Sequence, residues 1–299
     1  MLKNLLVPLD GSSLAEAALP AAVCLAESLG AKINLLHVIE QKPPKSIHSE
    51  HHLADAAEAG AYLDDIAGRV IPPQIPLAKH VHASRVRDVP QSILEHAEDL
   101  PDCLIIMCTH GRSGPRRWVF GSNAQQVAAL GSTPLLLIPP KHQMNTGSFK
   151  HHRLLVPLDG DPGHEQSLPV ACDLARACGA TIHLLAVVHN VASLRGERAA
   201  TASMLPGTMA AVLDIEEENM AQYLDGLVSR LKAAGIPAEC SVRRGKRVDT
   251  ILEAARELEV DAIALGTHGK TGTEAFWAAS VGPRVALQAE VPILLVPVK

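Results

Sequence analysis

The sequence has few of the features that mark proteins of nucleic acids or membranes. Aromatic residues make up only 2% of its 299 residues, too few for the stacking platforms that bind single-stranded nucleic acid. The formal net charge is −5 at pH 7, so the chain offers no basic surface for DNA, RNA or anionic lipid. No apolar run approaches the roughly 18 residues of a membrane span. These absences predict that neither nucleic acid nor a membrane is a partner.

The cysteines and the first residues predict a reducing compartment. The six cysteines form no Cys-x-x-Cys pair and no zinc-ribbon spacing, and most lie in apolar patterns typical of buried free thiols. The opening residues meet a proline and an aspartate too early for a signal peptide, so they predict a first strand instead. A cytoplasmic protein is the expectation.

Several motifs of known enzyme classes are also missing. No Gly-x-Gly-x-x-Gly follows the first predicted strand, and no Gly-x4-Gly-Lys-Ser/Thr occurs, which excludes dinucleotide dehydrogenases and P-loop NTPases. There is no nucleophile elbow and no base paired with a nucleophile, so no catalytic residue is predicted. Five of the 15 histidines cluster at residues 48–52 and 151–152, but without zinc-ligand spacing, so no metal site is predicted.

What the chain does contain is an internal repeat. The segment Leu-Leu-Val-Pro-Leu-Asp-Gly at residues 5–11 returns at residues 154–160, and Thr-His-Gly at 109–111 returns at 267–269. Such a repeat predicts two domains, residues 1–147 and 148–299, joined by a polar linker over residues 141–152.

Within each copy, short apolar runs alternate with helical patterns. This alternation predicts an α/β fold of two tandem three-layer α/β/α domains, each with a five-stranded parallel sheet. Ser13 and Glu16 have capping-box spacing, which predicts a single helix from about Leu14 to Gly30. Each copy ends in a short apolar strand, residues 135–138 and 293–296, and pairing these two edges predicts an internal pseudo-dimer.

Glycine-bearing loops follow the fourth strand of each copy and lead into a helix, an arrangement that suits anions because backbone N–H groups are free there. A phosphate site is therefore predicted at Gly111, Gly114, Gly121 and Ser122. The alternative is that these glycines serve only the geometry of a tight turn. Arg112 and Lys270 occupy the same loop position and either neutralise phosphate or stay solvated. Asp10 and Asp159 either contact the bound ligand or form the turn that caps the first helix. His110 and His268 either act as general acids or anchor and pack the loop.

With these motifs the chain resembles the universal stress protein family in a tandem form that covers nearly all of both halves. The resemblance implies a Rossmann-like fold of the adenine nucleotide alpha hydrolase-like type. It also implies ATP or another adenine nucleotide as ligand, with Mg²⁺ as its companion ion. The aspartate and valine of the motif would lie near adenine and the glycine loop on the phosphates. The implied nucleotide-binding positions are Asp10, Val38, Cys108, Gly111, Arg112, Gly114, Gly121 and Ser122 in the first half, and Asp159, Val187, Gly266, Gly269, Lys270, Gly272, Ala279 and Ser280 in the second.

Each copy departs from the family pattern once, at Cys108 in place of the first glycine and at Ala279 in place of the last. Gly245, after the third strand of the second half, has no counterpart in the first. We therefore expect the second half to bind more tightly.

Three functions stay open at this point. The chain is a nucleotide-binding module of a stress response, or a weak ATPase or nucleotidyl-transfer enzyme on the same fold, or an interaction protein with vestigial loops. A further homodimer also stays open.

Overall fold

The computed structural model describes residues 1–41, 46–47, 50–51, 53–109, 121–139, 152–268 and 281–298. The first half contains β1 (Asn4–Pro8), α1 (Ser13–Glu16), α2 (Leu19–Leu29), β2 (Lys32–Glu40), β3 (Ser46–Ile47), β4 (Glu50–His51), α3 (Ala56–Val70), β5 (Leu77–Val86), α4 (Val89–Glu98), β6 (Cys103–Cys108), α5 (Ser122–Leu130) and β7 (Leu135–Ile138). The second half contains β8 (Arg153–Leu158), α6 (Leu168–Cys178), β9 (Thr181–Val188), α7 (Gly196–Met204), α8 (Pro206–Ala233), β10 (Ala238–Arg244), α9 (Arg247–Glu257), β11 (Ala262–His268), α10 (Val281–Ala286) and β12 (Ile293–Val298).

The strands of both halves join into a single ten-stranded sheet in the order β10-β9-β8-β11-β12-β7-β6-β1-β2-β5. Within each half the five strands are parallel, which confirms the predicted sheet. The halves meet where β7 pairs with β12 in antiparallel register, with Leu136 opposite Leu294. The predicted internal pseudo-dimer with adjacent last strands is thus confirmed.

The apolar core continues through this junction on both faces of the sheet. Leu136 and Leu294 belong to the cluster on the face covered by α2, α3, α6 and α8. Leu137 and Ile293 belong to the cluster on the face covered by α4, α5, α9 and α10. An ion pair between the amino group of Met1 and the carboxylate of Asp173, with 3.3 Å between nitrogen and oxygen, also links the two halves. No helix in the described part of the chain is long and apolar enough to cross a membrane.

The helix after the first strand differs from the prediction. Its N-cap is Ser12, whose hydroxyl accepts the N–H of Ala15, so the predicted capping box at Ser13 is wrong. The helix ends at Glu16, and α2 begins at Leu19 with Pro20 in its first turn. The chain breaks because proline has no N–H to donate and its ring clashes with the preceding turn, whereas a first turn accommodates it.

The second half repeats this break, with a 3₁₀ turn over His164–Ser167 before α6, whose first turn holds Pro169. Helices α2 and α6 end, as predicted, on glycines with positive φ, Gly30 at 63° and Gly179 at 61°.

Two further stretches hold more structure than expected. The predicted helix of residues 209–234 begins at Pro206 and is preceded by α7. The stretch after β2, expected to be irregular, contains the two-stranded ribbon of β3 and β4. The predicted boundary between residues 147 and 148 lies outside the described residues.

Because strand pairing and a shared core hold the halves together, we expect them to stay associated without the linker. A protease site placed within residues 141–151, followed by complete cleavage, should leave both pieces in one peak on gel filtration with the mass of the uncut chain. Elution as two separate monomers would contradict the arrangement.

Candidate functional site

Each half has a pocket at the carboxyl ends of its parallel strands, the place where open α/β sheets bind ligands. Asp10, Val38 and Cys108 line the first pocket, from the ends of β1, β2 and β6. The described candidates of the second half line the other pocket in the same way: Asp159, Val187 and Gly266, from the ends of β8, β9 and β11. The structure thus brings together three candidate positions in each half.

The helix that follows the first glycine loop is α5. Gly121 is the N-cap of α5, with no side-chain capping bond, and the exposed Ser122 is its first residue. The next two residues, Asn123 and Ala124, line the first pocket. The remaining candidates lie outside the described residues: Gly111, Arg112, Gly114, Gly269, Lys270, Gly272, Ala279 and Ser280. His110 is likewise not described, and of His268 only the backbone is.

The first pocket is acidic in its described part. One carboxylate oxygen of Asp10 accepts the backbone N–H of Ser12 at 3.0 Å and its hydroxyl at 2.6 Å, so Asp10 forms the turn that presents the cap of α1. Glu40 contributes a second carboxylate to the lining, and no lysine or arginine is among the described lining residues. Burial, and secondarily the charge of Asp10, raise the pKa of the Cys108 thiol to about 12. This thiol therefore stays neutral and is not a nucleophile.

The second pocket carries mixed charge. The Nδ1 of His164 donates to Asp159 Oδ1 at 2.7 Å, and the N–H of Asp161 reaches the same oxygen at 3.2 Å. The bond from His164 lowers the pKa of Asp159, with a smaller contribution from the charge of Arg247. In return, the bond to Asp159 raises the pKa of His164. The ionised carboxylate of Asp159 thus has a hydrogen-bonded histidine and an arginine of the same pocket as basic neighbours.

His164 and Arg247 are site residues that sequence reasoning missed. By the repeat, the first half has Ala15 and Val89 at the corresponding positions. The available signal was therefore a difference between the two copies, whereas a repeated motif contains only what the copies share.

Two glycines of the second half have packing roles of their own. A Cβ on Gly266 would lie 3.1 Å from the Cα and the carbonyl oxygen of His164, so this glycine lets the 3₁₀ turn lie against β11. A Cβ on Gly245 would lie 2.3 Å from the hydroxyl of Thr250. Gly245 therefore makes room for the side chain of Thr250 on α9. Its presence is no longer a reason to expect tighter nucleotide binding by the second half.

The two pockets also differ in size. The first has a cavity of about 80 Å³ and the second one of about 290 Å³. Cys108 carries a side chain where Gly266 has none, which fills part of the first pocket.

A hydrogen-bonded network anchors the turn after β1. The hydroxyl of Tyr62 on α3 donates to Glu16 at 3.2 Å, and the guanidinium of Arg69 donates to the other oxygen of Glu16 at 2.9 Å. Burial and the Glu16 charge raise the pKa of Tyr62, so its hydroxyl keeps the proton that it donates. Because Glu16 lies on α1, the network ties α1, just after Asp10, to α3.

The second half repeats the network with the same residue types. Tyr223 donates to Glu165 at 2.9 Å and Arg230 donates to it at 3.0 Å. These are the two tyrosines of the whole chain. Each is followed seven residues later by the arginine of its network, a repeated spacing that the motif search did not use.

The pairing of His164 with Asp159 can be measured directly. We expect Asp159→Asn to lower the pKa of His164 from above its ordinary value of 6.5, because both the hydrogen bond and the charge are lost. Histidine-ring NMR titration measures this shift. His189, whose ring contacts Ser193, is the control and should titrate unchanged.

The pair should also make stability depend on pH. The His164 contribution is complete below about pH 6.5 and is lost as pH rises through its raised pKa. The Asp159 contribution is complete above its ordinary pKa and is lost as pH falls through its lowered one. Urea unfolding should therefore show the largest difference between the parent and Asp159→Asn at roughly pH 4 to 6.5. A difference that does not change with pH, or an unchanged His164 titration, would contradict the pairing.

Comparison with known proteins places both halves in one family. The family model of the universal stress protein family matches residues 1–139 and again residues 150–297. A universal stress protein of Methanocaldococcus jannaschii is 24% identical over 153 residues, covering 51% of this chain and 86% of that protein. The universal stress protein YxiE of Bacillus subtilis is 25% identical over 147 residues, covering 46% of this chain and 99% of that protein.

A crystal structure of a universal stress protein from Archaeoglobus fulgidus has the same fold over both halves. It covers 99% of this chain and 96% of its own, with a TM-score of 0.68 at 16% identity, a likeness of fold alone. With the family model matched twice along its length, this chain belongs to the universal stress protein family as a tandem of two domains.

Proposed function

We propose that this chain binds ATP or another adenine nucleotide, with Mg²⁺, and acts as a module of a cytoplasmic stress response. The observation that carries the proposal is the pocket of each half, where an aspartate and a valine from neighbouring strands lie beside the end of β6 or β11. The proposed domains are residues 1–147 and 148–299.

The chemistry of the lining suits such a ligand. Val38 and Val187 offer apolar surface to a base, while the carboxylates of Asp10 and Asp159 accept hydrogen bonds from its N–H or hydroxyl groups. The free N–H groups at the start of α5 suit phosphate oxygens. Beyond the described residues, the glycine loops with Arg112 and Lys270 supply the proposed phosphate contacts.

Electrostatics favour the second half for a polyanionic ligand. Among the described lining residues, the second pocket has Arg247 and His164 beside one carboxylate, that of Asp159, whereas the first pocket has the carboxylates of Asp10 and Glu40. Like charges repel a phosphate chain most strongly where water is partly excluded. The larger cavity, about 290 Å³, is also near the lower end of the roughly 300–1,000 Å³ of small-molecule sites.

A member that binds no nucleotide is the second candidate, and one observation favours it. Gly266 packs against the backbone of His164, so this glycine of the motif has a structural reason that needs no ligand. Titration of the intact protein with nucleotide separates the two candidates.

We expect calorimetry with ATP and Mg²⁺ to detect binding that Gly269→Val removes from the tighter site, because a side chain there blocks approach of the backbone to phosphate. The matched control is Gly111→Val, which should remove only the weaker site. No heat at millimolar ATP would rule out the nucleotide proposal. A larger loss with Gly111→Val would reverse the ranking of the halves.

Cys108 provides a separate test in the first half. In the Gly269→Val background, Cys108→Gly should strengthen the remaining ATP binding by about 10-fold, or about 1.4 kcal/mol, because it frees space in the small pocket. Cys103→Ala, at the opposite end of β6 and not among the residues lining the pocket, is the control and should leave ATP affinity unchanged. Unchanged or weaker binding after Cys108→Gly would contradict this role of the thiol.

A further inference from the structure

Three histidines meet at the outer edge of the first half. His80 and His82 lie two residues apart on β5, the last strand of the sheet, so their side chains point to the same face. The alternate residue Lys79 pairs with Asp64 of α3 on the opposite face. His80 and His82 therefore face α4, where His96 completes the cluster.

The spacing of the three rings suits a common metal ion. One ring nitrogen from each histidine lies within 4.8 Å of the other two. The ring centres of His80 and His82 are 4.7 and 5.2 Å from that of His96. A tetrahedral zinc ion with bonds of about 2.0–2.1 Å needs its nitrogens about 3.4 Å apart. Zinc binding therefore requires the three rings to move closer together.

The orientation of His96 is already fixed. Its Nδ1 lies 2.8 Å from the carbonyl oxygen of Ser92, one helical turn earlier. Donation of the Nδ1 proton to that oxygen leaves Nε2 with its lone pair for a metal. Metal-bound histidines commonly have such a second partner, which sets the tautomer and holds the ring.

Among the described residues, the cluster has no counterpart in the second half. Strand register places Ser241 and Arg243 in the second half at the positions of His80 and His82. The repeat places Ala254 of α9 at the position of His96. The three histidines are thus a feature of one copy, separate from the duplicated nucleotide motif.

We propose that His80, His82 and His96 bind a divalent transition-metal ion, and zinc in particular. Imidazole nitrogen is a preferred ligand of zinc. His80 is exposed, so water reaches the ion and completes a four-coordinate site. The cluster does not line the first pocket, so the metal site stands independently of nucleotide binding.

The test uses the full chain, stripped of metal with a chelator and titrated with ZnCl₂ in a calorimeter. We expect one zinc site that His80→Gln and His96→Gln each weaken by at least about 100-fold, since even loss of a supporting contact costs 10–100-fold. His152→Gln is the matched control, because this exposed histidine lies outside the cluster and its Nδ1 is 2.9 Å from the carbonyl oxygen of Cys178. Circular dichroism checks that each variant is folded.

Cobalt provides a second readout. Co²⁺ bound by three histidines and water should give the visible absorption of a four-coordinate site, without the charge-transfer band of a thiolate ligand. This spectrum should be lost in His80→Gln and kept in His152→Gln. Zinc affinity and stoichiometry that are equal in the parent and in His80→Gln would overturn the proposal, as would absence of binding at micromolar zinc.

Discussion

The antiparallel pairing of β7 with β12 determines the arrangement of the whole molecule. Each half is a parallel sheet that ends in a short apolar strand, and an open apolar edge of this kind invites aggregation. Pairing closes both edges at once, with Leu136 opposite Leu294, and joins the cores on both faces.

The pairing also determines the direction in which the two pockets open. Since the strands of the two halves run in opposite directions, the carboxyl ends of one half lie on the same side of the common sheet as the amino ends of the other half. The two pockets therefore face away from each other and cannot share one ligand.

Within this frame, the two copies keep the same scaffold but have different pockets. The networks of Tyr62 and Tyr223 hold the turn after the first strand in both halves with bonds of about 3 Å. The residues that reach the pocket differ: Ala15 corresponds to His164, and Cys108 to Gly266. The glycine lets the 3₁₀ turn approach the strand, and that turn carries His164 to Asp159. The differences at these two positions together change the charge of the site.

Much of the fold could be predicted because its signals are local or repeated. Apolar strands, the glycines that end α2 and α6, and the apolar last strands are all visible in the sequence. The helix break was missed because the capping pattern at Ser13 suggested one continuous helix, although Pro20 inside that helix signals the first turn of a new one. The site was harder to predict. Asp10 and Val38 were found through the motif, but Arg247 reaches its pocket from α9 and has no motif. The histidine cluster was missed for the same reason, since the search asked for ligands close in sequence. Only the packing of α4 against the face of β5 brings His96 to His80 and His82.

Duplication with opposed pockets allows the halves to take different ligands. In the first half, two carboxylates are among the described residues that line a small pocket, which disfavours a polyanion, while the edge strand β5 and helix α4 together carry three imidazole ligands suited to a cation. In the second half, Arg247 and His164 line a larger pocket, and Arg243 on the edge strand is paired with Glu257 at 2.6 Å. Val38 is the register partner of His82, and Val187 is the register partner of Arg243. The same strand pair therefore supports an imidazole cluster in one copy and an ion pair in the other. Neither the three histidines nor Arg243 and Glu257 are among the described residues that line the two pockets. The outer strands of the common sheet therefore differ in chemistry without changing the described pocket linings.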